Sequence, residues 1–151
     1  MQLTLATVTA LFGAAALAAP APQAEPLPNE NVKIADFAVR KGLNGTITNV
    51  YFSLTGNNAT DLPCSGANPT FPSDVINCVN SDSKYRFTLR KGTKTDYALR
   101  IFHELSIAAG FWGEGDVPSY CHTGGLGQVT CNQVGGPIVI NIDATGPPIN
   151  P

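Results

Sequence analysis

Lys84-Tyr-Arg-Phe-Thr-Leu-Arg-Lys-Gly-Thr-Lys-Thr-Asp-Tyr-Ala-Leu-Arg-Ile101 decides the fold class. Tyr85, Phe87 and Leu89 alternate with Arg86, Thr88 and Arg90. Beyond Lys91-Gly92-Thr93-Lys94, the residues Tyr97, Leu99 and Ile101 alternate with Ala98 and Arg100. A period of two sends successive side chains to opposite faces, so this is a β-hairpin with one aromatic-aliphatic face and one polar face. For both apolar sets to share a face, paired residue numbers must have an even sum. A two-residue turn fails that condition, and a three-residue loop containing Gly92 meets it. Arg86 then lies opposite or diagonal to Arg100 on the outer face, where like charges repel unless something neutralises them. Lys84, Arg86, Arg90, Lys91, Lys94 and Arg100 are six of the 9 basic residues of the chain. One reading is a solvated face with Asp82 and Asp96 as counter-charges. The other is a docking patch, centred on Arg86, Arg90 and Arg100, for an acidic partner.

The same alternation continues outward. His103, Leu105 and Ile107 lead through Ala108-Ala109-Gly110 to Phe111-Trp112, read as one more strand bent near Gly110. Gly113–Pro118 reads as a turn. Tyr120–Gly135 then places Cys121 and Cys131 on either side of Gly124, Gly125 and Gly127, a hairpin whose arms a disulfide would join. A phosphate cradle would need its glycines to open a helix, and a strand pattern follows instead. Pro137–Asp143 puts Ile138, Ile140 and Ile142 on one face. Upstream, Val32, Ile34, Phe37 and Val39 mark a strand over Val32–Arg40, and the slip between Ile34 and Phe37 predicts a bulge. Lys41–Gly45 reads as a turn, and Thr46–Leu54 as a strand in which Val50, Phe52 and Leu54 alternate. Thr55–Ser83 is the least regular section, rich in Gly, Pro and Asn. It holds Cys64, Cys78 and, at Val75-Ile76, a short strand or one helical turn.

Length and composition allow one domain. The chain has 151 residues, 15 Gly, 12 Pro and only 13% charged residues, which fits an all-β domain with many turns. The apolar run Leu3–Ala18 ends in a small-x-small site and reads as a signal peptide over residues 1–18. Residues 19–31 form a Pro-rich leader expected to be disordered, 32–143 the β-domain, and 144–151 a loose tail. Four cysteines in a secreted chain imply disulfides, and of the three possible pairings locality favours Cys64–Cys78 with Cys121–Cys131. Asn44-Gly-Thr46 and Asn58-Ala-Thr60 are N-glycosylation sequons in turns. A formal net charge of -2 argues against general affinity for nucleic acid or anionic membrane. Nothing in the spacing suggests a metal or a cofactor. Catalysis finds little support either. His103 and Glu104 would suit ribonuclease-type acid/base work, but neighbours on a strand face opposite ways. No Gly-x-Ser-x-Gly elbow or His-Glu-x-x-His helix is present. The residues leave two alternatives to a binding protein of another kind. One is a small secreted hydrolase of the ribonuclease type. The other is a cell-wall carbohydrate binder with Trp112 and Tyr120 as platforms.

Particular motifs go further. Pro118-Ser-Tyr-Cys-His-Thr-Gly-Gly-Leu-Gly127, Val129-Thr-Cys-Asn-Gln-Val-Gly135, Ile34-Ala-Asp-Phe-Ala-Val-Arg-Lys41, the Cys64…Cys78 pair and Lys84–Phe87 resemble the Alternaria major-allergen family over roughly Val32 to Asp143. The resemblance implies an antiparallel β-barrel or sandwich stapled by Cys64–Cys78 and Cys121–Cys131. It implies a secreted allergen or effector of fungal spores and cell walls that plants detect, without enzymatic activity. It implies host plant proteins as partners, thaumatin-like defence proteins among them. The family's allergen carries an extra N-terminal cysteine that links two subunits, and no counterpart exists here. The expectation is therefore a monomer, without the covalent dimer or the flavonoid-type ligand at its interface.

Overall fold

The computed structural model describes residues 28–78 and 84–145. The expected signal peptide, most of the leader, Asp82 and the end of the tail lie outside the described residues. Ten strands and no helix are present among the described residues. The first five are β1 (Asn29–Lys41), β2 (Ile47–Gly56), β3 (Ala59–Ala67), β4 (Ile76–Asn77) and β5 (Tyr85–Arg90). The others are β6 (Tyr97–Ser106), β7 (Ala109–Val117), β8 (Ser119–Thr123), β9 (Val129–Gln133) and β10 (Ile138–Asp143). They form one antiparallel sheet in the order β3-β2-β1-β10-β7-β6-β5-β4, with β9 beside β1 and β8 beyond β9. A disulfide between Cys64 of β3 and Cys78, next to β4, bonds the two ends of that order together. The result is a nearly closed β-barrel.

Period-two patterning fills its interior. Val32, Ile34, Val39, Val50, Phe52, Leu54, Phe87, Leu89, Leu99, Ile101 and Ile142 are each fully buried. Phe52 meets Phe87 edge to face, with ring centroids 4.8 Å apart. Burying side chains of this size contributes about 1.5–3 kcal/mol each relative to exposure. The hairpin register is even: Tyr85 faces His103, Phe87 faces Ile101 and Leu89 faces Leu99. Its loop, however, runs from Lys91 to Asp96 and is longer than the three residues expected. Asp116 explains the tolerance, since its carboxylate accepts N–H bonds from Thr93 (2.8 Å) and Lys94 (2.7 Å).

The slip in β1 is a bulge between Ala35 and Ala38, with Asp36 at φ 55°. Gln133 fills it. Its side-chain oxygen accepts from the Phe37 N–H at 3.0 Å, and its amide nitrogen donates to the Ile34 carbonyl at 3.2 Å. Here β1 changes neighbour, pairing with β10 before the bulge and with β9 after it.

Three boundaries differ from the sequence reading. First, β1 begins at Asn29, three residues before Val32, because Glu30 is a buried polar member of the same inward row. Second, β3 crosses the section read as irregular. Pro63 is tolerated because β3 lies at an end of the strand order, and Gly66 leaves room for Ile76 of β4. Third, the chain reverses at Ile107-Ala108 instead of bending near Gly110, and Gly113–Val117 is strand, not turn. A Cβ at Gly115 would sit 2.8 Å from Ile140 Cγ1, so that glycine permits close packing of β10 on β7.

Candidate functional site

The outward side chains of β5, β6 and β7 assemble one polar face. Thr88, Arg100 and Glu114 lie on one cross-strand row, and Arg86, Phe102 and Trp112 on the next. Arg86 is therefore diagonal to Arg100, and their repulsion is relieved from neighbouring strands. Glu104 pairs with Arg86. Glu114 accepts from Arg100 at 2.8 Å and lies 3.6 Å from Arg90. Of the two expected counter-charges, Asp96 forms no ion pair among the described residues, where Glu104 and Glu114 take that place, and Asp82 lies outside them. All three pairs are partly open to solvent, with arginine side chains 29–43% exposed. Such pairs contribute only about 0–1 kcal/mol each, so they exchange partners at little cost. Arg100 also lies 4.9 Å above the Trp112 ring. The Trp112 Nε1 is buried without a partner among the described residues. One face of this half-buried ring is taken by Arg100, and it does not share a platform with Tyr120, which stands on β8.

Beneath that face, on the inward side, Glu30, Tyr85 and His103 form a sealed network. His103 Nδ1 lies 2.6 Å from Glu30 Oε2. The Tyr85 hydroxyl donates to Glu30 Oε1, which also accepts the Asn57 N–H at 2.8 Å. The Tyr85 and His103 rings stack with centroids 4.1 Å apart. Burial, then the bond to Glu30, pushes the Tyr85 phenol above its ordinary range. Gly56 is required where it is, because a Cβ there would collide with both Glu30 and the Tyr85 hydroxyl. His103 and Glu104 do face opposite ways, one into this network and one out to Arg86. The imidazole–carboxylate pair can share a proton, but His103 is 2% exposed and offers no reacting atom to solvent.

Sequence reasoning did not find Glu30, Glu114 or Gln133 as organising residues. For Glu30 the signal existed: it extends the inward row of Val32 and Ile34 by one step of two. Asn44 and Asn58 both lie exposed in turns, at opposite ends of β2. Asn44 Oδ1 accepts from the Thr46 hydroxyl at 2.6 Å. The disulfides are Cys64–Cys78 and Cys121–Cys131, the second between residues directly opposed in the β8–β9 ladder.

A barrel of this topology, closed by a seam disulfide and extended by a disulfide-linked β8–β9 arm, defines a class of small β-barrel proteins. The family profile described as Alternaria alternata allergen 1 matches residues 34–131, and the chain belongs to that family. It is 50% identical over 150 residues to "Effector protein PevD1" of Verticillium dahliae, covering 95% of each chain. Two crystal structures of the Alternaria alternata major allergen Alt a 1 share the fold. One has a TM-score of 0.61 at 22% identity, covering 78% of this chain and 95% of that one. The other has a TM-score of 0.62 at 20% identity, with coverage of 74% and 86%.

Proposed function

We propose that this chain is a secreted fungal effector that acts on a plant host by binding a host protein, without catalysis. The observation that carries this reading is the 50% identity, across 95% of both chains, to a protein named as an effector. The partner is a plant defence protein of the thaumatin-like kind, and the effector engages it as a monomer outside the fungal cell. Secretion through the expected signal peptide fits the two disulfides, which persist in oxidising compartments. Glycans at Asn44 and Asn58 would then cap two exposed turns.

The docking face is the outer side of β5–β6–β7, with Arg86, Arg90 and Arg100 as contacts. Support comes from the ion pairs described above. Each arginine is already held in place by a surface glutamate, and an acidic group of the partner can replace that glutamate. The test is to infiltrate purified protein into leaves, score local cell death, and recover bound plant proteins. An Arg86→Ser, Arg100→Ser double variant keeps the fold, because both side chains point away from the core. It should recover the partner more weakly, and wild-type binding should fall as salt rises. Equal binding by the folded variant at every salt concentration removes this face from the proposal. Recovery of no plant protein, together with cleavage of RNA by the purified chain, overturns the reading as a whole.

A further inference from the structure

The sheet face formed by β3, β2, β1, β9 and β8 carries a different chemistry from the arginine face. Cross-strand pairing sets Ser65, Tyr51, Ala38, Asn132 and Tyr120 in one continuous row. All five point outward, because Cys64, Phe52, Val39, Cys131 and Cys121, which adjoin them along their strands, lie in the core or pack against it. The two tyrosines are 40% and 68% exposed. Three strand spacings separate them, about 14 Å between their backbones. Neither phenol has a hydrogen-bond partner among the described residues. No residue of the row is charged, and Arg40 lies in the row beside it with Thr130 and His122. The arm that carries Tyr120 is held by the Cys121–Cys131 bridge, so the strands that carry the two tyrosines are fixed relative to each other before any ligand arrives.

We propose that this row is a glycan-binding platform for an uncharged β-linked chain of N-acetylhexosamines. A pyranose with equatorial substituents presents its axial C–H bonds as an apolar face, which packs on an aromatic ring while its hydroxyls stay in water. Two rings spaced along one line suit an extended chain of sugars, with one ring under each end of a short oligomer. Between them, Ala38 offers a small apolar surface beside the Asn132 amide. An acetamido group matches that pair, methyl against Ala38 and amide against Asn132. An acidic polysaccharide would gain nothing from an uncharged row. The platform is separate from the arginine face, so it stands or falls apart from the host-protein reading.

The experiment is titration of the folded full chain with chitohexaose and with cellohexaose, followed by calorimetry or protein NMR. Chitohexaose should bind, and cellohexaose should bind more weakly. Tyr51→Ala and Tyr120→Ala should each weaken binding by roughly tenfold, while Phe at either position retains most of it, because the ring face carries the contact. Unchanged thermal melts keep the alanine variants interpretable. Asn132→Ala should narrow the preference for chitohexaose. The proposal is overturned if wild-type protein binds neither sugar, if cellohexaose binds as tightly, or if the phenylalanine variants lose binding as the alanine variants do. It is equally overturned if the tyrosine variants lose a plant protein partner while the wild type binds no sugar.

Discussion

Glu30 is a carboxylate at 2% exposure, and every lone pair it uses is answered by a named donor: Tyr85, Asn57 and His103. A buried polar group costs about 1–3 kcal/mol when a partner is removed and its place left dry. We therefore expect Tyr85→Phe to lower stability by about that amount, read as a shift in the urea midpoint. The same variant tests a pH effect. The folded protein holds the Tyr85 proton more tightly than the unfolded chain does, since burial and the bond to Glu30 both disfavour the phenolate. Below pH about 10 both states keep the proton and stability does not depend on it. Above that value the unfolded chain releases it first, so stability falls with rising pH. The variant should lack this part of the alkaline decline, and an identical alkaline slope in both proteins would refute it. Little of this site was legible in the sequence. His103 was visible as a candidate, but its partner comes from 73 residues upstream. A glutamate next to a proline-rich leader carries no local sign of burial except its place in the row with Val32 and Ile34.

At the scale of strands, legibility followed side-chain periodicity. β2, β5, β6 and β10 were readable because their apolar residues alternate without interruption. β3 and β7 were not, because Pro63, Gly66, Gly113 and Gly115 mimic turn composition. Those glycines answer to neighbouring strands: Gly66 to Ile76, Gly113 to Asn141 and Ile142, Gly115 to Ile140. Such close approaches are tertiary facts that no local pattern encodes. The β1 bulge was readable as a slip in the pattern, yet its filler, Gln133, lies 96 residues from Phe37. Gln133→Ala would leave the Phe37 N–H and the Ile34 carbonyl short of partners where β1 changes neighbour. We expect a loss of about 1–3 kcal/mol and faster hydrogen exchange at Phe37 than at Val32 or Val50. Unaltered exchange at Phe37 in the folded variant would mean that the bulge holds without its filler.

The molecule as a whole is a barrel whose seam is closed by a covalent bond. The Cys64–Cys78 loop spans 14 residues, so replacing both cysteines by serine should cost on the order of 3 kcal/mol and free β4 first. The fold class and the existence of a basic hairpin were legible from alternation and composition. The charge balance of that hairpin's outer face was not, because Glu104 and Glu114 reach it only through the β5–β6–β7 register. Glu114 is the sharper probe of what the face does. Its carboxylate holds Arg100 at 2.8 Å and lies 3.6 Å from Arg90. Glu114→Gln removes one negative charge, leaves the side chain the same size, and uncovers two arginines at once. Since exposed pairs of this kind contribute about 0–1 kcal/mol, the fold should lose little stability. If the face docks an acidic partner, the variant should bind it more tightly than wild type, because no internal carboxylate competes for Arg90 and Arg100. Its affinity should also fall more steeply with salt, and the gain should lie mainly in the association rate. If these arginines serve only to neutralise neighbouring strands, Glu114→Gln will leave partner binding unchanged at every salt concentration, and the contact surface must be sought on another face of the barrel.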